Sequence, residues 1–376
     1  MSSRNINKLV FGNLIVFFVV LLTPGSIYKI YTLTENFRNV SKKQSTDVRI
    51  SYPTYLDKER ANQIYLELLK LKTKYHSFVG WKRENVSYKF TKISGKYKTR
   101  KSLGESLNNS FWFFGGSTMW GYGESDNQTI PSHFNKLTNQ SVYNFGQVGW
   151  NSRQSLNQLI NLIGDELSPK KIIFYEGIND AILQCQANVK EIPNHPFEQK
   201  IRKKLSSNIS WNEFTRNILK FIFDPYLKLT KSNSFSGINT KKSKYFDCDI
   251  NKVKSKRIAS HLINNWYIAY LIAKNNNSEF IGILQPWVLT SEVNYDYLTE
   301  SEKNKLSLYK THLDIVYENI IFEMNKACNY DKEFCKSIIN GVDWLKNKEN
   351  VFIDFGHTNG EGNKIISEKI TQLIKL

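Results

Sequence analysis

The chain has 376 residues, 40% of them hydrophobic and 14% aromatic, with a formal net charge of +18. That length exceeds the common domain size, so one large domain with appendages is expected, and the apolar content suffices for a sizeable core. The charge admits nucleic acid, an anionic membrane surface or an acidic polymer as partner; the absence of zinc-ligand spacing, an RNA-binding signature or a helix-turn-helix speaks against the first, and the lysines are dispersed among asparagines rather than clustered.

Residues 1–8 form a short tail. Leu9 to Ile27 (LVFGNLIVFFVVLLTPGSI) carries no charge, and about 20 apolar residues span a bilayer core. Its dense part, Leu9 to Leu22, also has the length of a signal-peptide core, but the small residues before Ser26 make a poor cleavage site. An uncleaved transmembrane anchor over 9–27 is the expectation. Arg4 and Lys8 on one side and Lys29, Arg38, Lys42 and Lys43 on the other do not orient it.

Residues 28–105 read as a juxtamembrane stalk and amino-terminal extension. Tyr28 to Tyr52 is polar and charged. Tyr55 to Lys74 has helical periodicity through Ala61, Ile64, Tyr65, Leu68 and Leu71. Phe78–Trp81 and Val86–Phe90 read as short strands that pad a sheet edge or a cleft, with Trp81 either packed in the core or stacked on a sugar ring.

Phe111-Trp-Phe-Phe-Gly-Gly-Ser-Thr-Met-Trp-Gly-Tyr-Gly123 is a buried strand running into a glycine turn and then Ser117. A serine there lies at the carboxyl edge of a sheet, where open α/β folds bind ligands. Two further segments repeat the form. Ser141-Val-Tyr-Asn-Phe-Gly-Gln-Val-Gly-Trp-Asn-Ser152 is a strand ending in glycines, followed by a helix from about Ser152. Lys171-Ile-Ile-Phe-Tyr-Glu-Gly-Ile-Asn-Asp180 ends in Gly177, with Asn179 just beyond. A glycine N–H and a side-chain amide are the donor types that converge on a developing oxyanion.

Residues 185–250 form an insertion with a helix expected around Trp211 to Leu229. Val253 to Lys274 is helical, Glu279–Leu284 is a buried strand ending at Gln285, and Glu302 to Lys326 is a helix. Val351-Phe-Ile-Asp-Phe-Gly-His357 reads as a strand that delivers Asp354 and, three residues on, His357, spaced so that the carboxylate can fix the imidazole's tautomer and tilt. Ile365 to Leu376 is a final helix. His195 and His261 read as structural or surface residues. Four cysteines leave three states open: bridges Cys328–Cys335 and Cys185–Cys248, free buried thiols, or a metal site, although no CxxC occurs. Strands alternating with helices indicate a parallel, doubly wound sheet.

The ordered set Gly115-Gly-Ser-Thr118, Asn144-Phe-Gly-Gln-Val-Gly149, Gly177-Ile-Asn-Asp180 and Asp354-Phe-Gly-His357 resembles the four blocks of the SGNH/GDSL hydrolases. The resemblance covers residues 106–376 and departs at Gly-Gly-Ser, where the namesake pattern has Gly-Asp-Ser. It implies a flavodoxin-like three-layer α/β/α domain, no metal or other cofactor, Ser117 as nucleophile, His357 as general base and Asp354 as its orienting acid. It also implies an oxyanion hole from the Ser117 N–H, the Gly149 N–H and the Asn179 amide. The pattern is similar to the branch associated with bacterial surface polysaccharides. The expected activity is therefore removal of O-acyl, especially O-acetyl, groups from an envelope or secreted polysaccharide by a domain outside the cytoplasm. The same site can serve an O-acyltransferase, and a catalytically silent, membrane-tethered glycan-binding protein is the alternative from another class.

Overall fold

The computed structural model describes residues 47–197 and 246–374, together with Phe11 and residues 13–16. The chain divides into two units, and almost all described residues belong to the one comprising 47–198 and 244–376. Among the described residues no helix is long and apolar enough to cross a membrane. The anchor expected over 9–27 falls mostly outside them, and the helix expected at 211–229 entirely so.

The strands are β1 (Thr73–His76), β2 (Gly80–Arg83), β3 (Val86–Ser87), β4 (Lys92–Ser94), β5 (Thr99–Leu103), β6 (Phe111–Gly115), β7 (Val142–Asn144), β8 (Lys171–Glu176), β9 (Glu279–Leu284) and β10 (Ile338–Asn340). β1 and β2 form a separate antiparallel pair, and the other eight form one sheet in the order β10-β9-β8-β6-β7-β5-β4-β3. From β10 to β7 every pairing is parallel. β6 (FWFFG) and β8 (KIIFYE) are buried at every position, the near-continuous apolar run that a strand covered on both faces requires. Phe111 and Phe113 meet Phe134 of the helix Ile130–Thr138. Alternation sends Phe114 to the opposite face, where it contacts Phe174, its partner in register.

The sheet is not purely parallel, contrary to expectation. β5 runs antiparallel to β7, β4 to β5 and β3 to β4. The reason lies in the extension: from Asp47 onward it belongs to the same compact unit as residues 106–198 and 244–376. Its strands cover the β7 edge, which would otherwise present unpaired backbone groups. The helix Lys58–Lys70 buries Ala61, Ile64, Tyr65 and Leu68 in a second core cluster with Trp120 and Ile353.

A second correction concerns residues 351–354. They form no strand; the fifth parallel strand is β10. Instead, residues 351–359 fold back on themselves, with a bridge between Phe352 and Thr358 and the bonds Ile353 N–H to His357 O and Asn359 N–H to Val351 O, both 2.9 Å. The apolar run is buried as a strand would be, but it pairs with its own return. The helix Gly360–Ile374 follows. Both disulfides are formed, Cys185–Cys248 and Cys328–Cys335.

Candidate active site

Ser117 opens a one-turn helix, Ser117–Trp120, directly after β6. First-turn N–H groups have no partner within a helix, so the Ser117 N–H faces outward beside its own hydroxyl. Gly116 precedes it, and a Cβ there would collide with the Asn179 amide and crowd the Trp150 carbonyl. The segments that follow β6, β7 and β8 therefore meet at one glycine.

The hydroxyl of Ser117 lies 2.6 Å from His357 Nε2. His357 Nδ1 lies 2.8 and 2.7 Å from the two oxygens of Asp354. Because Nδ1 faces a carboxylate, it carries the proton and Nε2 is free to accept one. Residues 240 positions apart are thus joined in one hydrogen-bonded line. The Thr118 hydroxyl adds a bond of 3.1 Å to the Gly356 carbonyl, fixing the two loops together.

Asp354 is 4% exposed and fully satisfied. Besides His357 it accepts the backbone N–H groups of Gly356 (3.1 Å) and His357 (2.9 Å) and Nη1 of Arg49 (3.0 Å). Burial pushes its carboxyl up, but the facing imidazole, its hydrogen bond and the Arg49 guanidinium outweigh burial and hold it well below the usual carboxylate range. The same guanidinium reaches Asp47 through Nε (2.9 Å) and Nη2 (2.8 Å) and lies over the rings of Tyr65 and Tyr122. The Tyr122 ring in turn packs 4.8 Å from that of His357. Burial works against the Arg49 charge, but Asp47, with the tyrosines and Asp354, keeps it protonated.

Gly149 has φ +80°, a left-handed conformation that glycine adopts without strain. Asn151 then caps the helix Ser152–Gly164 with a full capping box to Gln154. Asp180 secures this turn, accepting the Ser152 hydroxyl (2.6 Å) and N–H (3.1 Å). The Asn179 amide donates to the Trp150 carbonyl at 2.7 Å, which leaves its second hydrogen free. Among the described residues, neither the Ser117 N–H nor the Gly149 N–H donates a hydrogen bond. Ser117, Gly149, Asn179 and His357 are half-buried. No group of three or more His, Cys, Asp or Glu among the described residues is placed to hold a metal.

All five residues named from the sequence thus fall at one edge of the sheet. Others were missed. Arg49 lies in a segment whose polarity reads as a stalk, and nothing local signals its reach to Asp354. His195, read as structural, donates from Nε2 to the Gly149 carbonyl at 2.8 Å. Trp81 is core rather than a sugar platform: it is 7% exposed and its indole N–H bonds the Val148 carbonyl at 3.0 Å. Gln285 is buried at the end of β9, and its carbonyl accepts the Tyr317 hydroxyl.

A serine hydroxyl, an imidazole and a buried carboxylate in this line, with free N–H groups beside the hydroxyl, define a centre able to transfer acyl groups by nucleophilic attack. No family model matches the chain, and no curated protein matches it by sequence. Solved structures similar to it include a lipolytic protein of the G-D-S-L family from Desulfitobacterium hafniense (13% identity, TM-score 0.37, covering 71% of this chain and 99% of that one). They also include a GDSL-like lipase from Bacteroides thetaiotaomicron (16%, 0.36, 70% and 87%) and the carbohydrate acetylesterase Est24 from Sinorhizobium meliloti (10%, 0.40, 71% and 100%). The functional reading rests on the geometry of the site.

Proposed function

We propose that the protein is an SGNH-type serine esterase with a flavodoxin-like catalytic domain, acting on O-acyl groups of a cell-envelope or secreted polysaccharide. The observation that carries this reading is the 2.6 Å contact between Ser117 Oγ and His357 Nε2, made while Nδ1 is held by a carboxylate.

In this mechanism His357 takes the Ser117 proton as Oγ attacks the ester carbonyl. The Ser117 and Gly149 N–H groups and the Asn179 amide receive the charge that develops on the carbonyl oxygen. The tetrahedral species collapses, His357 hands its proton to the departing sugar oxygen, which leaves as a hydroxyl, and an acyl-Ser117 remains. Water, deprotonated by the same imidazole, then releases the carboxylic acid. Asp354 stays ionised throughout, in keeping with its depressed pKa.

The four-block resemblance supports an O-acetylated glycan as substrate. The uncharged stretch 9–27 supports a single-pass anchor, and the family resemblance, with two disulfides that suit an oxidising compartment, supports a catalytic domain outside the cytoplasm. The test is hydrolysis of a chromogenic acetyl ester and acetate release from an O-acetylated polysaccharide, each with wild type and Ser117→Ala. A drop of about 10⁴-fold or more is expected for the variant. Equal rates, or a well-folded but inactive wild type, would overturn the esterase.

A further inference from the structure

Three successive carbonyls next to Gly149 each accept a hydrogen bond from a different side chain. Val148 O takes the indole N–H of Trp81 at 3.0 Å, Gly149 O takes His195 Nε2 at 2.8 Å, and Trp150 O takes the Asn179 amide at 2.7 Å. The donors come from the amino-terminal extension, from the start of the insertion and from the short helix Ile178–Gln184 after β8. The set is closed by Trp150, whose indole N–H bonds the carbonyl of Trp81 at 2.9 Å.

A trans peptide is planar, with its C=O and N–H pointing in opposite directions. The carbonyl of Val148 and the N–H of Gly149 belong to the same peptide, so holding the carbonyl aims the N–H. Left-handed Gly149 has no side chain to restrain that plane, which makes an external hold necessary. The second hold has a defined proton state. His195 Nδ1 accepts the Phe197 N–H at 3.0 Å, so Nε2 carries the hydrogen, and burial keeps the ring neutral by lowering its pKa to about 4. The rings of Trp81, His195 and Phe197 also pack together, edge-on or tilted.

We infer that Trp81, with His195 as its counterpart, is a positioning residue that aims the Gly149 N–H at the substrate's developing oxyanion. Neither residue touches the reacting atoms; each acts through the peptide planes flanking Gly149. This rests on the esterase reading and adds to it that the extension is part of the catalytic apparatus.

The experiment compares full-length wild type, Trp81→Phe, His195→Phe, His195→Gln and Ser117→Ala, all with thermal unfolding as a folding control. Trp81→Phe keeps an aromatic ring and removes only the donor; His195→Gln retains an N–H near the Nε2 position. For Trp81→Phe and His195→Phe, kcat on a soluble acetyl ester should fall about tenfold, a fraction of the 10²–10³ lost with a whole oxyanion donor, while KM stays within about twofold. Affinity for a trifluoromethyl ketone, which forms a tetrahedral oxyanion on the serine, should weaken by the same factor as kcat/KM. His195→Gln should recover most of the loss. Wild-type kcat in a folded Trp81→Phe, or an equal fall in folded fraction and activity with unchanged ketone affinity per folded molecule, would overturn the inference. Undiminished activity in Ser117→Ala would instead overturn the esterase reading beneath it.

Discussion

At the residue scale, the acid of the candidate triad is held from two sides. His357 Nδ1 faces both carboxylate oxygens and Arg49 Nη1 donates to Oδ2, so Asp354 cannot rotate without breaking a charge-assisted bond. Arg49→Ala should lower kcat by about tenfold, since orientation of the base accounts for a large share of such a triad's rate. Arg49→Lys should not restore it: a single ammonium cannot span Asp47 and Asp354 as the guanidinium fork does. Steady-state kinetics on a soluble ester decide this; a fully active Lys variant would show that charge alone suffices.

Glu176 at the end of β8 presents the opposite electrostatic case. It is buried, one oxygen accepts the Trp266 indole N–H at 2.9 Å and the other has no partner among the described residues. Burial, with the nearby Asp180 charge, raises its pKa above the ordinary 4.5. A carboxyl raised in the folded state adds stability that is fully present below its unfolded pKa and is lost as pH rises through the folded value. Thermal midpoints should therefore decline as pH rises from about 4.5 into the neutral and alkaline range. Glu176→Gln, which keeps an acceptor for Trp266 and cannot ionise, should flatten that decline. An identical slope in the variant would assign the decline to other groups.

At the element scale, the disulfides differ in what they restrain. Cys185–Cys248 spans 63 positions and Cys328–Cys335 only 7. Loop-closure entropy then gives about 4 kcal/mol for the first and about 2 kcal/mol for the second. Paired Cys→Ser variants compared by chemical denaturation should show the larger loss at 185/248; the reverse order would mean that the unfolded chain is restrained by something else. Much at this scale was legible in the sequence. β6, β8 and β9 are continuous apolar runs ending at glycine or polar residues, and the helices at Lys252–Asn275 and Glu300–Tyr330 carry the periodicity that buried faces demand. Three short elements were not. β4, β5 and β10 have three to five residues, and four of the five residues of Thr99–Leu103 are polar, among them Arg100, which is a core residue. Its buried guanidinium bonds the carbonyls of Trp120, Gly121 and Glu124 and the carboxylate of Asp126, partners that no local pattern reveals. The run Val351–Ile353 carries a strand's composition but pairs with its own return, a choice made by tertiary contacts. The five site residues were readable because each follows a glycine turn or a fixed Asp-x-x-His spacing; the residues that hold them were not, because they act across long sequence distances.

At the scale of the whole molecule, the amino-terminal extension is both wall and support. Its helix Lys58–Lys70 buries apolar side chains against Trp120 and Ile353, one the last residue of the Ser117 helix and the other one residue before Asp354. Its strands occupy the β7 edge, and Arg49 and Trp81 reach the two halves of the site. A chain shortened to begin at Asp47 retains all of these contacts. It should hydrolyse a soluble acetyl ester at a rate within about twofold of the full chain, because uniform folding of the site leaves transition-state contacts unchanged. A chain beginning at Glu105 loses them all. It uncovers Trp120 and Ile353 as apolar surface and exposes β7 as an unpaired edge, the two features that drive association of partly covered sheets. It should aggregate or unfold without a cooperative transition, and any soluble fraction should be inactive. Expression of both forms, followed by size-exclusion chromatography, thermal unfolding and the ester assay, separates the outcomes. A soluble, cooperatively folding and active product from Glu105 onward would show that the parallel strands and their loops form the site unaided, and that residues 47–104 only cover it.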